Sequence, residues 1–288
     1  MAECVYCGGS GKCHGSGLYH PYVKDHGPFD IYLCSECHSL FTFPLPSTGS
    51  LASLYASFDG GMYGDIARLR KRYPLNGWYE QCESRMVAAL GKVEDGLSWI
   101  DLGSGDGVMS ERMKRAYPSG KGWAVDVHTR PERLKDVDVT WVQADLNEGA
   151  PDLPKAKLVF AVTVLEHVTD PCLFIGSGLD LLDEGGVFYF NCPRADCMAF
   201  RLMGRKWPYY LPGEHITVPT MKGLSGLVNR LAGSRPGRKF SIEISPVTMP
   251  YPLGYYMGFL TGNRWMPDWQ LPIYLPTGLL ECTIRRLC

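Results

Sequence analysis

The chain has 288 residues, enough for one large domain or a medium domain with an appendage, and its 45% apolar content permits a sizeable core. Lys and Arg number 29 against 30 Asp and Glu, a net charge of -1, which argues against wholesale nucleic-acid binding because a phosphate backbone selects a basic excess. The start "MAECVYCGGSGKC" lacks the basic and apolar segments of a signal peptide, and no run reaches the roughly 18–20 apolar residues that span a bilayer. The 11 cysteines sit in a chain far larger than secreted disulfide scaffolds, so the expectation is a cytoplasmic protein with mostly reduced thiols.

The first element in chain order is a pair of cysteine knuckles, Cys4-x2-Cys7 and Cys34-x2-Cys37. Two thiolates three positions apart turn around one ion, and a second such pair closes a tetrahedral site. A glycine-rich stretch and the alternating "DIYLCSECHSLFTF" lie between and around them, as in a zinc ribbon. Four cysteines leave no open coordination position, so the zinc is expected to be structural. Cys13, His14 and His38 stand nearby as alternates for a single ligand.

Next, "RLRKR" (Arg68 to Arg72) is a compact basic run, read as a solvated helix face with an anion-binding arginine as the rival. "GWYEQCESRMVAAL" then places Trp78, Cys82, Met86 and Leu90 at i+4 spacing, an amphipathic helix that covers a sheet.

From Leu97 onward short apolar runs alternate with helical stretches. "LSWIDLG", "GKGWAVDV", "DVTWVQADL", "KLVFAVTVL" and "GVFYFNCP" read as five strands, with "GVMSERMKRAY" and "PCLFIGSGLDLLDEGG" as helices. This order predicts a parallel sheet covered on both faces, with its ligand beyond the carboxyl ends of the strands.

The turn "DLGSGDG" after the first of these strands carries Gly103, Gly105 and Gly107. A dinucleotide fingerprint places its third glycine where this chain has Val108. Asp101 closes the strand and Asp106 sits inside the turn, and two carboxylates repel a pyrophosphate by roughly 1–4 kcal/mol per close pair. Such a turn suits a cationic nucleoside, S-adenosylmethionine, whose single carboxylate meets the loop amides. Asp126 ends the second strand, where an acid accepts both ribose hydroxyls, and Asp145 ends the third, within reach of an adenine amine. A helix-capping role is the bland alternative for Asp101.

Taken in order, "DLGSGDG", "AVDV", "QADL" and "VLEHV" resemble the class I S-adenosylmethionine-dependent methyltransferases, over roughly Trp78 to Cys288. The chain also resembles their subgroup with an N-terminal zinc-binding module, which acts on small molecules such as natural-product or sugar intermediates. The resemblance implies an α/β, Rossmann-like, seven-stranded, mostly parallel sheet with helices on both faces, plus the small zinc ribbon. It implies cofactor contacts at Gly103, Ser104, Gly105, Asp126 and Asp145, and Asp101, Val127, Leu146 and Thr163 are further candidates for the same cofactor site. The family's antiparallel last pair of strands corresponds to "KFSIEIS" (Lys239 to Ser245) and "LLECTIRRL" (Leu279 to Leu287). The sugar C-methyltransferases of the subgroup carry a further C-terminal domain, which this sequence does not show, and that argues against a nucleotide-sugar substrate.

The expected organisation is a ribbon over 1–45, a helical linker and cap over 46–96, and the cofactor domain over 97–288. Two inserts, 194–218 and 246–278, interrupt the last domain. The second is rich in proline and aromatic residues, including Trp265 and Trp269, and reads as a rigid wall over the substrate, with a homodimer interface as its rival. The first, with "MGRKWPYYLPGEH", has a similar character.

The sulfonium is already a strong electrophile, so the protein mainly positions the nucleophile, and a base helps if that nucleophile is a hydroxyl or an acidic C–H. His167 and His215 are the candidate bases, with Tyr209 and Tyr210 as outsiders and Cys192 and Arg194 as lining residues. The expected reaction is methyl transfer to a small polar molecule in a biosynthetic pathway, to oxygen first and then carbon or nitrogen. The competing readings are RNA or protein methylation with the ribbon as docking module, a non-catalytic cofactor-binding scaffold, and transfer of a different group from the same cofactor.

Overall fold

The computed structural model describes residues 2–17, 29–47, 51, 72–73, 76–91, 96–207, 209–260, 265–276 and 278–287. Of the basic run, Arg68 to Lys71 lie outside the described residues, as does most of the stretch expected to link the ribbon to the cofactor domain.

A seven-stranded sheet organises the chain. Its strands are β4 (Ser98–Leu102), β5 (Lys121–Asp126), β6 (Thr140–Gln143), β7 (Ala156–Val162), β8 (Leu182–Pro193), β10 (Lys239–Val247) and β13 (Leu279–Leu287). They lie in the order β10-β13-β8-β7-β4-β5-β6. The five central and early strands are mutually parallel. β13 runs antiparallel to both β8 and β10, as the resemblance implied. The chain leaves β4 in one direction to β5 and β6, then crosses back to β7 on the other side. That reversal opens a crevice at the carboxyl ends of β4 and β7.

Side-chain alternation divides the core into two layers. Trp99 of β4 with Leu158 and Phe160 of β7 face one way, and pack with Trp78, Cys82 and Met86 of helix α1 (Asn76–Leu90) and Met109 and Met113 of α2 (Val108–Ala116). The i+4 stripe of α1 is therefore its buried face. Ile100, Leu102, Val159 and Ala161 face the other way, toward Phe174 and Ile175 of α3 (Pro171–Asp180) and Leu224, Leu227 and Val228 of α5 (Met221–Gly233).

The ribbon belongs to this second layer, because Tyr6, Cys34, Cys37 and Phe41 pack into the same cluster. Its strands β1 (Gly11–Gly17), β2 (Phe29–Cys34) and β3 (Leu40–Thr42) pair antiparallel, and β9 (Thr217–Val218) completes the sheet along β3. Insert 194–218 thus contributes a strand to the N-terminal module. It also contains α4 (Met198–Met203). Its Trp207 is 1% exposed and clusters with Ile31 and Leu40 of the ribbon. Insert 246–278 folds as a small hairpin of β11 (Pro250–Pro252) and β12 (Pro272–Tyr274), with α6 (Leu253–Leu260) between them.

Two boundaries differ from the sequence reading. Helix α3 stops at Asp180, and β8 begins at Leu182, which already pairs with Ala156, so "LLDEGG" is not helical. Leu179, Leu181 and Leu182 are all buried, so apolar patterning gives no mark of the switch. β6 is shorter than "DVTWVQADL", because Asp145 caps a following 3-10 turn, its side chain accepting from the Asn147 amide. Among the described residues no helix is long and apolar enough to cross a membrane.

Candidate active site

The carboxyl ends of β4, β5, β6 and β7 bring the sequence candidates to one edge of the sheet. After β4 the Gly103 and Ser104 amides donate to the Val125 carbonyl at 2.8 and 3.0 Å, fastening the turn to β5. Gly103 has φ +77°, and a Cβ there would meet Val164 Cγ2 at 2.5 Å. Gly105 has φ +56° with nothing within 4 Å of its would-be Cβ, so this side of the turn is open.

The acids around the turn take different parts. Asp101 is 2% exposed, with Oδ2 accepting from Ser110 Oγ at 2.7 Å. Burial pushes its carboxyl up to about 7, against the pull of the Ser110 and Ser104 hydroxyls. It braces the turn from beneath. Asp106 is exposed, and its Oδ1 accepts from the Val108 amide at 3.4 Å, at the start of α2. Asp126 is the acid that the turn itself holds: Oδ2 accepts from the Gly105 amide at 2.8 Å, and Oδ1 from the His128 amide at 3.0 Å, with the His128 ring at 2.8 Å. Burial alone raises its pKa, but those hydrogen bonds outweigh burial and hold it below the ordinary carboxylate value. Val127 beside it is 37% exposed.

Asp145 Oδ1 accepts from the amide and side chain of Asn147, each at 2.9 Å, and Leu146 is buried in the turn that follows. Thr163 leaves β7 at φ +54°, a conformation costly for a branched residue. Asn191 of β8, fully buried, holds it there by accepting from the Thr163 amide through Oδ1 at 3.0 Å, while its Nδ2 donates to Cys82 Sγ at 3.3 Å. Sequence reading named Cys192 and Arg194 but missed Asn191. The signal was present, as an amide amid the apolar run "FYFNCP". Cys192 is fully buried in the layer shared with the ribbon, and Arg194 pairs with Asp196 at 3.2 Å.

His167 and His215 come together from separate elements, with ring centroids 5.0 Å apart and edge to face. His167 ends a 3-10 turn after β7, and His215 precedes β9. Each Nδ1 donates to a carbonyl, His167 to Glu214 at 3.0 Å and His215 to Tyr209 at 2.8 Å. A carbonyl only accepts, so both lone pairs sit on Nε2. Burial lowers His167 to about 4 and, joined by the nearby His167, His215 to about 3, so both are neutral at pH 7. The Tyr209 ring lies parallel to His215 at 6.2 Å, and its hydroxyl is 3.3 Å from that of Tyr251, which stacks on Tyr255. The two inserts therefore meet tyrosine against tyrosine beside the histidines. Tyr210 instead stacks on Phe200 and is edge-on to His14. Trp265 and Trp269 pack on each other, 49% and 44% exposed.

The four knuckle cysteines form one cluster, with Cys4 and Cys37 sulfurs 3.6 Å apart and those of Cys7 and Cys34 at 3.4 Å. A tetrahedron of sulfurs at the zinc distance has edges of about 3.8 Å, so the set fits a structural zinc. Backbone amides of Gly9, Glu36 and Cys37 point at these sulfurs, as thiolates require. Each knuckle ends on a left-handed residue, Gly8 and His38, and the exposed His38 lies outside the four-cysteine set. Cys13 is exposed on β1, and His14 packs against aromatic rings, so neither joins the cluster.

A family model described as "Methyltransferase domain" matches residues 71–232. That is more than half of the chain, and the chain belongs to this family, as an S-adenosylmethionine-dependent methyltransferase. It is 25% identical over 229 residues to the ubiquinone biosynthesis O-methyltransferase of Ralstonia nicotianae, covering 70% of this chain and 92% of that one. It is 28% identical over 160 residues to the trans-aconitate 2-methyltransferase of Pseudomonas aeruginosa, 53% of each chain. Among solved structures, the plantazolicin methyltransferase BpumL, crystallised with a substrate analogue and S-adenosylhomocysteine, superposes with a TM-score of 0.57. It has 14% identity over 83% of this chain and 95% of that one. The Burkholderia thailandensis 1,6-didemethyltoxoflavin-N1-methyltransferase gives 0.54 at 14% identity, over 95% and 99%. These two likenesses carry the fold.

Proposed function

We propose that the protein moves the methyl group of S-adenosylmethionine onto a hydroxyl oxygen of a small biosynthetic molecule with a planar or aromatic body. The observation that carries this reading is the neutral histidine pair, His167 and His215, at the end of β7 beside a tyrosine cluster built by both inserts. The Ralstonia relative is named an O-methyltransferase, which favours oxygen over carbon or nitrogen.

In this reading the turn at Gly103, Ser104 and Gly105 seats the cofactor, Asp126 accepts its ribose hydroxyls, and Asp101 and Thr163 shape the floor. Asp145, Leu146 and Val127 border the adenine. The acceptor oxygen attacks the methyl carbon in line: the O–C bond forms, the S–C bond breaks, and its electron pair leaves with the sulfur as neutral S-adenosylhomocysteine. The acceptor hydroxyl becomes a strong acid as its oxygen is alkylated, so even a weakly basic imidazole Nε2 takes the proton. Tyrosine faces offer a surface for a flat substrate. A nucleic-acid acceptor is disfavoured by the net charge of -1, and the ribbon spends one sheet edge on β9. A homodimer through the exposed Trp265, Trp269 and Leu271 is compatible with the same site, and sedimentation tests it.

The test is calorimetry with S-adenosylmethionine, followed by mass analysis of products from phenolic, carboxylic and amine acceptors. Binding in the crevice and a phenolic methyl ether are expected. Asp126→Asn exchanges one acceptor oxygen for a donor and should weaken the cofactor about ten- to hundredfold. Tight wild-type binding unchanged by that substitution defeats the placement of the cofactor.

A further inference from the structure

Beside the two histidines lies a carboxylate that the methyl-transfer chemistry above leaves unused. Glu166 is 1% exposed, and its Oε2 has no hydrogen-bond partner. Among the described residues no lysine or arginine forms an ion pair with it. A buried acceptor without a partner costs about 1–3 kcal/mol, so its retention needs a reason. One candidate ligand atom each from Glu166, His167 and His215 lies within 4.8 Å of the other two. Atoms bound to one ion at 2.0–2.2 Å are at most about 4.4 Å apart, so small side-chain rotations close the set.

We infer that Glu166, His167 and His215 form a second metal site, distinct from the cysteine cluster, for a divalent first-row transition ion. Three further features suit it. Both imidazoles spend Nδ1–H on backbone carbonyls, of Glu214 and Tyr209, the outer hydrogen bond that fixes a ligating histidine with Nε2 toward its metal. Two nitrogens and one carboxylate select zinc, iron or manganese over magnesium or calcium. The two segments are also clamped to each other: Tyr6 of the ribbon donates to Thr217 Oγ1, which donates to the Leu165 carbonyl at 3.3 Å.

Three protein ligands leave open positions on such an ion, and an acceptor oxygen fits one of them. This deepens the O-methyl reading and rests on it: the metal-bound hydroxyl gives its proton to water, and the resulting oxyanion takes the methyl as the sulfur leaves with the S–C electron pair. Activation then comes from the ion, and the imidazoles serve as its ligands in place of the proton-accepting role given to Nε2 above; the O-methyl outcome is what the two readings share.

Cobalt(II) loading of metal-stripped, refolded protein separates the alternatives. The expected result is two equivalents: one with intense thiolate charge-transfer bands from the cysteine cluster, one with the weak visible bands of a nitrogen–oxygen site. Glu166→Gln and His215→Ala should each lose the second equivalent and keep the first. Glu166→Gln is isosteric, and leaves a merely protonated buried acid unperturbed in both folding and cobalt content. One equivalent in the wild type, or a second equivalent that survives both substitutions, overturns the site. Calorimetry with S-adenosylmethionine on the same samples keeps the two readings apart, since its failure strikes the methyl-transfer reading and not the metal.

Discussion

Asp101 shows how position changes the part a residue plays. In the sequence it is one of two acids flanking a bare turn; in the fold it lies beneath that turn, and Asp126 becomes the carboxylate bound to the Gly105 amide. Burial raises the Asp101 pKa from 3.8 to about 7, so the native state holds a proton that the unfolded chain releases. Its contribution to stability is full below the unfolded value and is lost as pH rises from about 4 to 7, on the order of 2–4 kcal/mol. Asp101→Asn should flatten that part of the pH profile and stabilise the protein relative to wild type above neutrality. Thermal melts of both across this range check it; parallel profiles would show that Asp101 is ionised throughout.

At the level of elements, the turn between β4 and α2 contains glycines with unlike duties. Gly103→Ala adds a left-handed alanine and a 2.5 Å collision with Val164, and should destabilise the fold by about 3 kcal/mol or more. Gly105→Ala meets no atom, so its cost is the left-handed conformation, about 1–2 kcal/mol. Its methyl would enter the open space where the cofactor is proposed to sit, so cofactor affinity should fall while the protein stays folded. Urea denaturation paired with calorimetry distinguishes the two, and equal stability losses would refute the contrast. At the carboxyl end of β7, the Asn191 side chain of β8 accepts from the Thr163 amide and holds the chain as it leaves the strand. The amide in "FYFNCP" marks Asn191 in the sequence, but its partner Thr163 is set by the pairing of the two strands.

Across the whole molecule the ribbon is an integral part of the core. Beyond the β3–β9 pairing, Thr220 Oγ1 donates to the Cys37 carbonyl at 2.6 Å, the Thr220 amide donates to Ser39 Oγ at 3.0 Å, and Arg230 reaches the Tyr6 carbonyl at 2.7 Å. Thr220 caps α5, so a knuckle residue and a helix start share one hydrogen-bond network. Removing zinc, by chelation or by Cys37→Ser, should therefore lower the melting temperature of the catalytic sheet itself, by about 2–4 °C for each kcal/mol of destabilisation. Calorimetry should show one shifted transition. A ribbon transition that comes and goes while the main one stays fixed would mean the modules are independent.

The sequence by itself determined what depends on short-range pattern. Alternation and i+4 spacing placed the sheet strands and the buried face of α1, and the paired C-x-x-C spacing marked the four cysteines that the fold brings into one cluster. The glycine turn and the acids Asp101, Asp126 and Asp145 fall on one edge of the sheet, since each lies at or just past the carboxyl end of a strand. Only the tertiary structure decided which residues meet across the chain. Tyr6 reaches Thr217 over 211 positions, and Glu166 and His167 join His215 because β9 is pinned to the ribbon. Such meetings are set by how layers pack on a finished sheet, and no local periodicity records them.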